Sequence, residues 1–144
     1  MTTLVIDASV GAKWFLPPAA EPHAKAATAL LKRYAAGELR FVVPDLYWAE
    51  LGNIFWKAVR LGRWPLTRAE EAIGLARGRP FPTVSTQVLL EDAFRISTSF
   101  DRSVYDSIYV ALAIASNATL VTADERLANA LAAHLPVKWL ATMI

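Results

Sequence analysis

The 144-residue sequence contains no cysteine. That excludes disulfide scaffolds, thiol nucleophiles and Cys-ligated zinc. Histidine is nearly absent: His23 and His134 lie far apart and form no ligand spacing. Charge is sparse, at 19% against 55% hydrophobic residues, and a chain of that balance folds around a core rather than staying disordered. Long hydrophobic runs are missing too. The longest uncharged stretch, Ser107–Ala123, has 17 residues and carries Ser116, Asn117 and Thr119, which is short and polar for a membrane span. The opening MTTLVIDASV has no basic segment followed by an apolar one, so no signal peptide is expected and the protein reads as cytosolic, with no membrane partner. No Gly-x-Gly-x-x-Gly or Walker loop occurs, which sets aside the nucleotide-cofactor folds.

What is present fits one domain over residues 1–144. Net charge is +2, and the pI of 9.1 reflects how little titrates between pH 7 and 9 rather than a strongly basic surface. A mean hydropathy of +0.32 is high for a small chain and points to apolar surface reserved for an interface. Strands are expected at Thr3–Ile6, Phe41–Val43, Pro82–Ser85, Thr119–Val121 and Val137–Leu140. Helices are expected between them. One spans Ser9–Leu16 and is stopped by Pro17-Pro18; another spans Glu21–Ala36 and is closed by Gly37. A third runs from an Asp45 cap to Leu61, and a fourth opens on the capping box Thr67–Glu70. The others are Thr86–Ser99, a helix after Ser103 reaching Ser116, and Asp124–Ala133. Alternating strand and helix implies an α/β domain with a buried, mainly parallel sheet.

Four acids stand apart from the ordinary surface charges. Asp7 follows the first strand directly and Asp124 follows the fourth after two residues. In open parallel sheets, sites form beyond the carboxyl ends of strands, although a strand-end acid also serves as a helix cap. Asp106 is the only charge between Arg102 and Asp124, on a helix that is apolar nearly all round. Such a helix is buried, and a buried carboxylate needs a partner. A capping box with Ser103 would account for it less well, because that role prefers the longer Glu or Gln. Glu50 shares a helix face with Asn53 and Lys57, a pattern that a solvated Glu–Lys face explains equally well.

Four fragments occur in a fixed order: Asp7-Ala8-Ser9, then Trp48-Ala49-Glu50-Leu51-Gly52-Asn53, then Tyr105-Asp106-Ser107-Ile108-Tyr109-Val110-Ala111-Leu112-Ala113, and last Leu120-Val121-Thr122-Ala123-Asp124. Together they resemble the PIN-domain ribonucleases, and most closely the VapC-type toxins of toxin–antitoxin pairs, over Leu4 to Leu140. The resemblance implies a three-layer α/β/α fold with a five-stranded sheet in order 3-2-1-4-5. It also implies that Asp7, Glu50, Asp106 and Asp124 meet in one catalytic pocket. It suggests that Ser9, Asn53 and Thr122 hold the carboxylates or waters, for which turn and cap hydrogen bonds are an equally simple role. It further implies metal-dependent endoribonuclease activity on RNA with Mg²⁺ or Mn²⁺, a homodimer, and a VapB-type antitoxin partner.

Physical chemistry makes that set coherent. Two carboxylates about 4 Å apart repel by about 4 kcal/mol at an effective dielectric of about 20, so a cluster must take up protons or a cation. Oxygen ligands alone favour a hard ion. Since Mg²⁺ keeps several waters, Asp7 and Asp106 are the expected direct ligands, with Asp124 and Glu50 completing the site through metal or water. The segment Lys57–Arg79 carries a net +4 with Trp64 inside it and Trp56 beside it, so Lys57, Arg60, Arg63 and Arg68 are candidate RNA contacts; a solvated helical hairpin or an antitoxin surface are the other readings. A phosphoacceptor domain would need an acidic pair near the first strand and an acid after the third, and this chain has neither. An Asp-x-Asp phosphatase is disfavoured by Ser9. A non-catalytic PIN-like binding module is the remaining alternative.

Overall fold

The computed structural model describes residues 1–143. Five strands, β1 (Thr2–Ile6), β2 (Leu39–Pro44), β3 (Thr83–Val84), β4 (Thr119–Thr122) and β5 (Val137–Trp139), form one sheet in the order 3-2-1-4-5. Every pairing is parallel, with Val5 beside Val42 on one side and Leu120 on the other. Leu4, Val5 and Ile6 are buried in succession, as a central parallel strand covered on both faces requires.

The helices are α1 (Ala8–Gly11), α2 (Ala24–Ala35), α3 (Leu46–Arg60), α4 (Leu66–Gly78), α5 (Thr86–Phe100), α6 (Val104–Ala115) and α7 (Glu125–Leu131). Helix α6 packs on β1, β2 and β4, α5 lies against α6, and α2 packs on β2. Two helix ends follow directly from glycine. Gly37 and Gly62 adopt positive φ, and each ending is sealed by a pair of reversed hydrogen bonds, such as Arg63 N–H to Ala58 O at 2.9 Å.

Local chemistry departs from the sequence reading in four places. The stretch after Asp7 is a four-residue helix continued as a 3₁₀ turn over Ala12–Trp14, so the chain turns before Pro17. Helix α2 begins at Ala24, after a 3₁₀ turn at Pro18–Ala20. Helix α4 starts at Leu66 behind Pro65, with no side-chain cap, so the Thr67–Glu70 box does not open it. Asp45 stands before α3 but does not cap it; its carboxylate accepts from the backbone and hydroxyl of Thr86, fastening the start of α5.

Candidate active site

The carboxyl ends of β1 and β4 are adjacent, and hydrogen bonds knit them together. Asp7 N–H donates to Val121 O at 3.1 Å. The Thr122 hydroxyl, fully buried, donates to Asp7 Oδ2 at 2.7 Å and accepts from Asp124 N–H at 3.0 Å. Ser9 N–H donates to Asp7 Oδ1 at 3.2 Å, while Ser9 Oγ accepts from Ala123 N–H at 3.1 Å. Ser9 and Thr122 therefore exchange partners between the two strand ends.

Asp7, Glu50, Asp106 and Asp124 line one open cleft of about 470 Å³, with Ser9 and Asn53 on its walls. Asp7 and Asp124 come from strand ends, Glu50 from the second turn of α3, and Asp106 from the first turn of α6. Asp106 is half-exposed at the rim, whereas its apolar helix led us to expect burial. The buried part of α6 begins one residue later, at Ser107.

The oxygens share the cleft without converging. Among the described residues, no three acidic or histidine side chains are gathered closely enough to hold an ion by themselves. Each carboxylate is drawn to a local donor instead. Asp124 Oδ1 accepts from Leu127 N–H at 3.1 Å and caps α7. The Tyr109 hydroxyl donates to Glu50 Oε1 at 2.6 Å. Asp106 leans toward Arg102, 3.8 Å away, and its own N–H donates to Ser103 Oγ at 3.1 Å. The expected knot of carboxylates within a few ångströms is therefore replaced by a ring of tethered ones.

The electrostatics still register mutual repulsion. Burial raises the pKa of Asp7; the Thr122 and Ser9 hydrogen bonds oppose this, and the charge of Asp106 adds to it. Glu50 is raised chiefly by burial, against the Tyr109 hydrogen bond and with the charges of Asp7 and Asp106 adding. Asp106 is raised by burial, countered by Arg102 and reinforced by Asp124. Burial, the charge of Asp7 and the contact with Glu50 push the Tyr109 phenol upward, so it remains a donor to Glu50. The donor set, carboxylate oxygens with no sulfur or imidazole among them, is of the kind a hard divalent cation takes, and one or two carboxylates suffice for direct contact.

Sequence reasoning missed two site residues. Tyr109 sits three residues after Asp106 on an apolar helix, and a buried tyrosine hydroxyl needs a partner. Arg102 lies at i−4 from Asp106, the spacing of a helical ion pair. The basic segment is divided. Lys57 and Arg63 line a second cleft that adjoins the first. Arg60 lies over the exposed Trp56 ring at 5.4 Å, and Arg68 stands 3.9 Å from Glu71 beside a different hollow. Trp64 is buried against Phe55 at 5.1 Å, so it is a core residue and offers no base platform.

A PIN-domain family model matches residues 4–131, and the chain belongs to the PIN-domain family. It is 32% identical over 131 residues to Ribonuclease VapC3 of Pyrobaculum aerophilum, covering 88% of this chain and 92% of that protein. The fold matches the crystal structure of PAE2754 from Pyrobaculum aerophilum with a TM-score of 0.70 at 23% identity, over 99% of this chain and 92% of the other. It also matches a chain of a toxin–antitoxin complex from Klebsiella pneumoniae with a TM-score of 0.61 at 15% identity, over 94% and 95% of the two chains.

Proposed function

We propose that this protein is a metal-dependent endoribonuclease and the toxin of a toxin–antitoxin pair. The observation that carries the reading is the cleft lined by Asp7, Glu50, Asp106 and Asp124 at the carboxyl edge of a PIN-family sheet. The relative named as a ribonuclease supports the reaction class. The toxin–antitoxin complex among the similar folds supports the partner.

Asp7 and Asp106 would hold Mg²⁺ or Mn²⁺ directly, with Asp124 and Glu50 contributing through water. When bound, the cation supplies an acidified water and neutralises charge on the phosphoryl oxygens. The chain's own residues do the rest. Thr122 and Ser9 fix the orientation of Asp7. Tyr109 pins one oxygen of Glu50 and leaves the other free in the cleft. Glu50, with its second oxygen free and its pKa raised by burial, is placed to orient or deprotonate the attacking water. Asn53, exposed one turn along α3, offers an amide to phosphate or water.

An apolar groove of about 730 Å³, walled by Trp14, Tyr34, Trp48, Leu75 and Phe81 with Arg79 at its edge, supports docking of an antitoxin segment. Exposed Val88 and Phe94 on α5 support a homodimer seam. Among the described residues no helix is long and apolar enough to cross a membrane.

The test is cleavage of a structured RNA by purified, antitoxin-free protein. Activity should require Mg²⁺ or Mn²⁺, vanish in EDTA, and vanish in Asp7→Asn. Cleavage that ignores both the chelator and the substitution would reject the assignment.

A further inference from the structure

A lysine is seldom buried unless something compels it. Lys13, in the 3₁₀ turn after α1, has a side chain only 7% exposed. Its Nζ donates to Glu21 Oε1 at 3.2 Å, its one hydrogen-bond partner among the described residues. An ammonium carries three donors, so two remain unspent. A well-packed apolar residue would serve stability as well or better, since a buried ion pair often returns less than it costs to desolvate. The placement calls for a use beyond packing.

Lys13 lines the second cleft, of about 500 Å³, together with Lys57 and Arg63. This cleft is continuous with the carboxylate cleft, since Ser9, Ile54 and Asp124 form walls of both. The three cations come from separate elements. Lys13 follows α1, Lys57 projects from the last turn of α3, and Arg63 follows the Gly62 turn, where positive φ swings the chain back. Its acids are Asp124, at the shared wall, and Glu21.

We propose that this second cleft is a phosphate subsite for the RNA strand, next to the scissile position, with Lys13 as its anchor and Glu21 as the built-in competitor. The proposal rests on the ribonuclease reading and extends it. An RNA phosphate entering the cleft finds two free Nζ donors on a preordered lysine, and the exposed Lys57 and Arg63 face it from the solvent side. Glu21 holds Lys13 in place when RNA is absent, at the expense of drawing charge from the subsite. Arg60 and Arg68 take no part, because one lies over Trp56 and the other stands by Glu71.

The experiment measures binding of a fluorescent single-stranded RNA oligonucleotide in an Asp7→Asn background, where the strand stays whole. Lys13→Met, Lys57→Ala and Arg63→Ala should each weaken binding by about tenfold, the size of one charge-assisted contact. Each should also flatten the dependence of log Kd on log salt by about 0.7. Glu21→Gln should tighten binding severalfold, and with Asp7 restored the cation variants should raise KM while leaving kcat near wild type. Arg68→Ala should match the parent. A structural ion pair alone predicts the opposite for Glu21→Gln, which would then bind no better than the parent. That result overturns the subsite even where Lys13→Met fails to fold. If the wild-type protein cuts RNA while all these variants bind as it does, the subsite falls and the ribonuclease reading stands. If the wild type cuts no RNA with either ion, both fall.

Discussion

Replacing Gly11 with alanine tests how the site is spaced. An ideal Cβ on Gly11 would lie 2.1 Å from the Tyr47 hydroxyl oxygen and 2.9 Å from Cζ. A carbon and an oxygen in contact need roughly another ångström or more, so one of the two elements must move. Tyr47 cannot swing aside. It is 1% exposed, and its ring meets Trp48 edge-on at 4.9 Å. The added methyl therefore pushes α1 away from α3. Asp7 and Ser9 travel with α1, and Glu50 sits one turn beyond Tyr47 on α3, so the same displacement widens the carboxylate cleft. Overpacking of this kind costs about 1–3 kcal/mol. A misplacement of about 1 Å at reacting groups can cost about 100-fold in rate. Urea unfolding gives the first quantity, and RNA cleavage, at a temperature where the variant is fully folded, gives the second. Tyr47→Phe in the Gly11→Ala background removes the atom in the closest clash and should recover part of both losses, giving a favourable coupling in the double-mutant cycle. If Gly11→Ala unfolds within about 0.5 kcal/mol of wild type and cleaves normally, Gly11 does not set the α1–α3 spacing.

Two further outcomes follow from the same geometry. Tyr109→Phe deletes the 2.6 Å donor to Glu50 at a buried site, so it should destabilise by about 1–2 kcal/mol and lower kcat more than it raises KM; an unchanged kcat would show that Glu50 needs no tether. Because the pKa values of Asp7, Glu50 and Asp106 are raised in the fold, the folded chain holds protons more tightly than the unfolded one, and their contribution to stability declines as pH rises from their ordinary values, 3.8 to 4.5, through the raised ones. In EDTA, Asp106→Asn should therefore melt higher than wild type at pH 7, with the gap closing near pH 4. Its lost contact to Arg102 subtracts little, since both partners are partly solvated and 3.8 Å apart. A variant that melts lower at pH 7 would make Asp106 a structural residue.

The strands, and Asp7 and Asp124 just beyond two of them, are legible in the sequence because apolar runs end at or shortly before those acids; the strand order that makes the two carboxyl ends neighbours comes only from the resemblance. Glu50 is legible only through resemblance: its surface periodicity with Asn53 and Lys57 equally describes a solvated face. The tethers escape a linear reading for a physical reason. Tyr109 reaches Glu50 across 59 positions and Thr122 reaches Asp7 across 115, and hydrogen bonds at such separations leave no periodic trace. Trp64 misleads for the complementary reason. It stands among arginines in sequence, but the Gly62 turn and Pro65 carry it inward onto Phe55, leaving its charged neighbours outside.

The tethers also explain how a chain can keep four acids in one cleft and still fold. Three of the carboxylates have local work that favours the native state: Asp124 caps α7, Asp7 joins two strand ends and Glu50 receives a phenol, whereas Asp106 only faces Arg102 at 3.8 Å. Hydrogen bonds to charged groups contribute about 1.5–3 kcal/mol each, comparable to the repulsion between a pair of carboxylates at intermediate dielectric. The cluster therefore has no need of an ion in order to form. On the proposed reading a cation would compete with donors already in place, and it would gain most where an oxygen is left over. Asp7 and Asp124 each accept one donor per engaged oxygen, and Glu50 Oε2 has no partner among the described residues. Water between the ion and Asp124 or Glu50 would preserve those bonds while still screening the repulsion. The Ser9 N–H and the hydroxyls of Tyr109 and Thr122 thus fix how far Asp7 and Glu50 can turn.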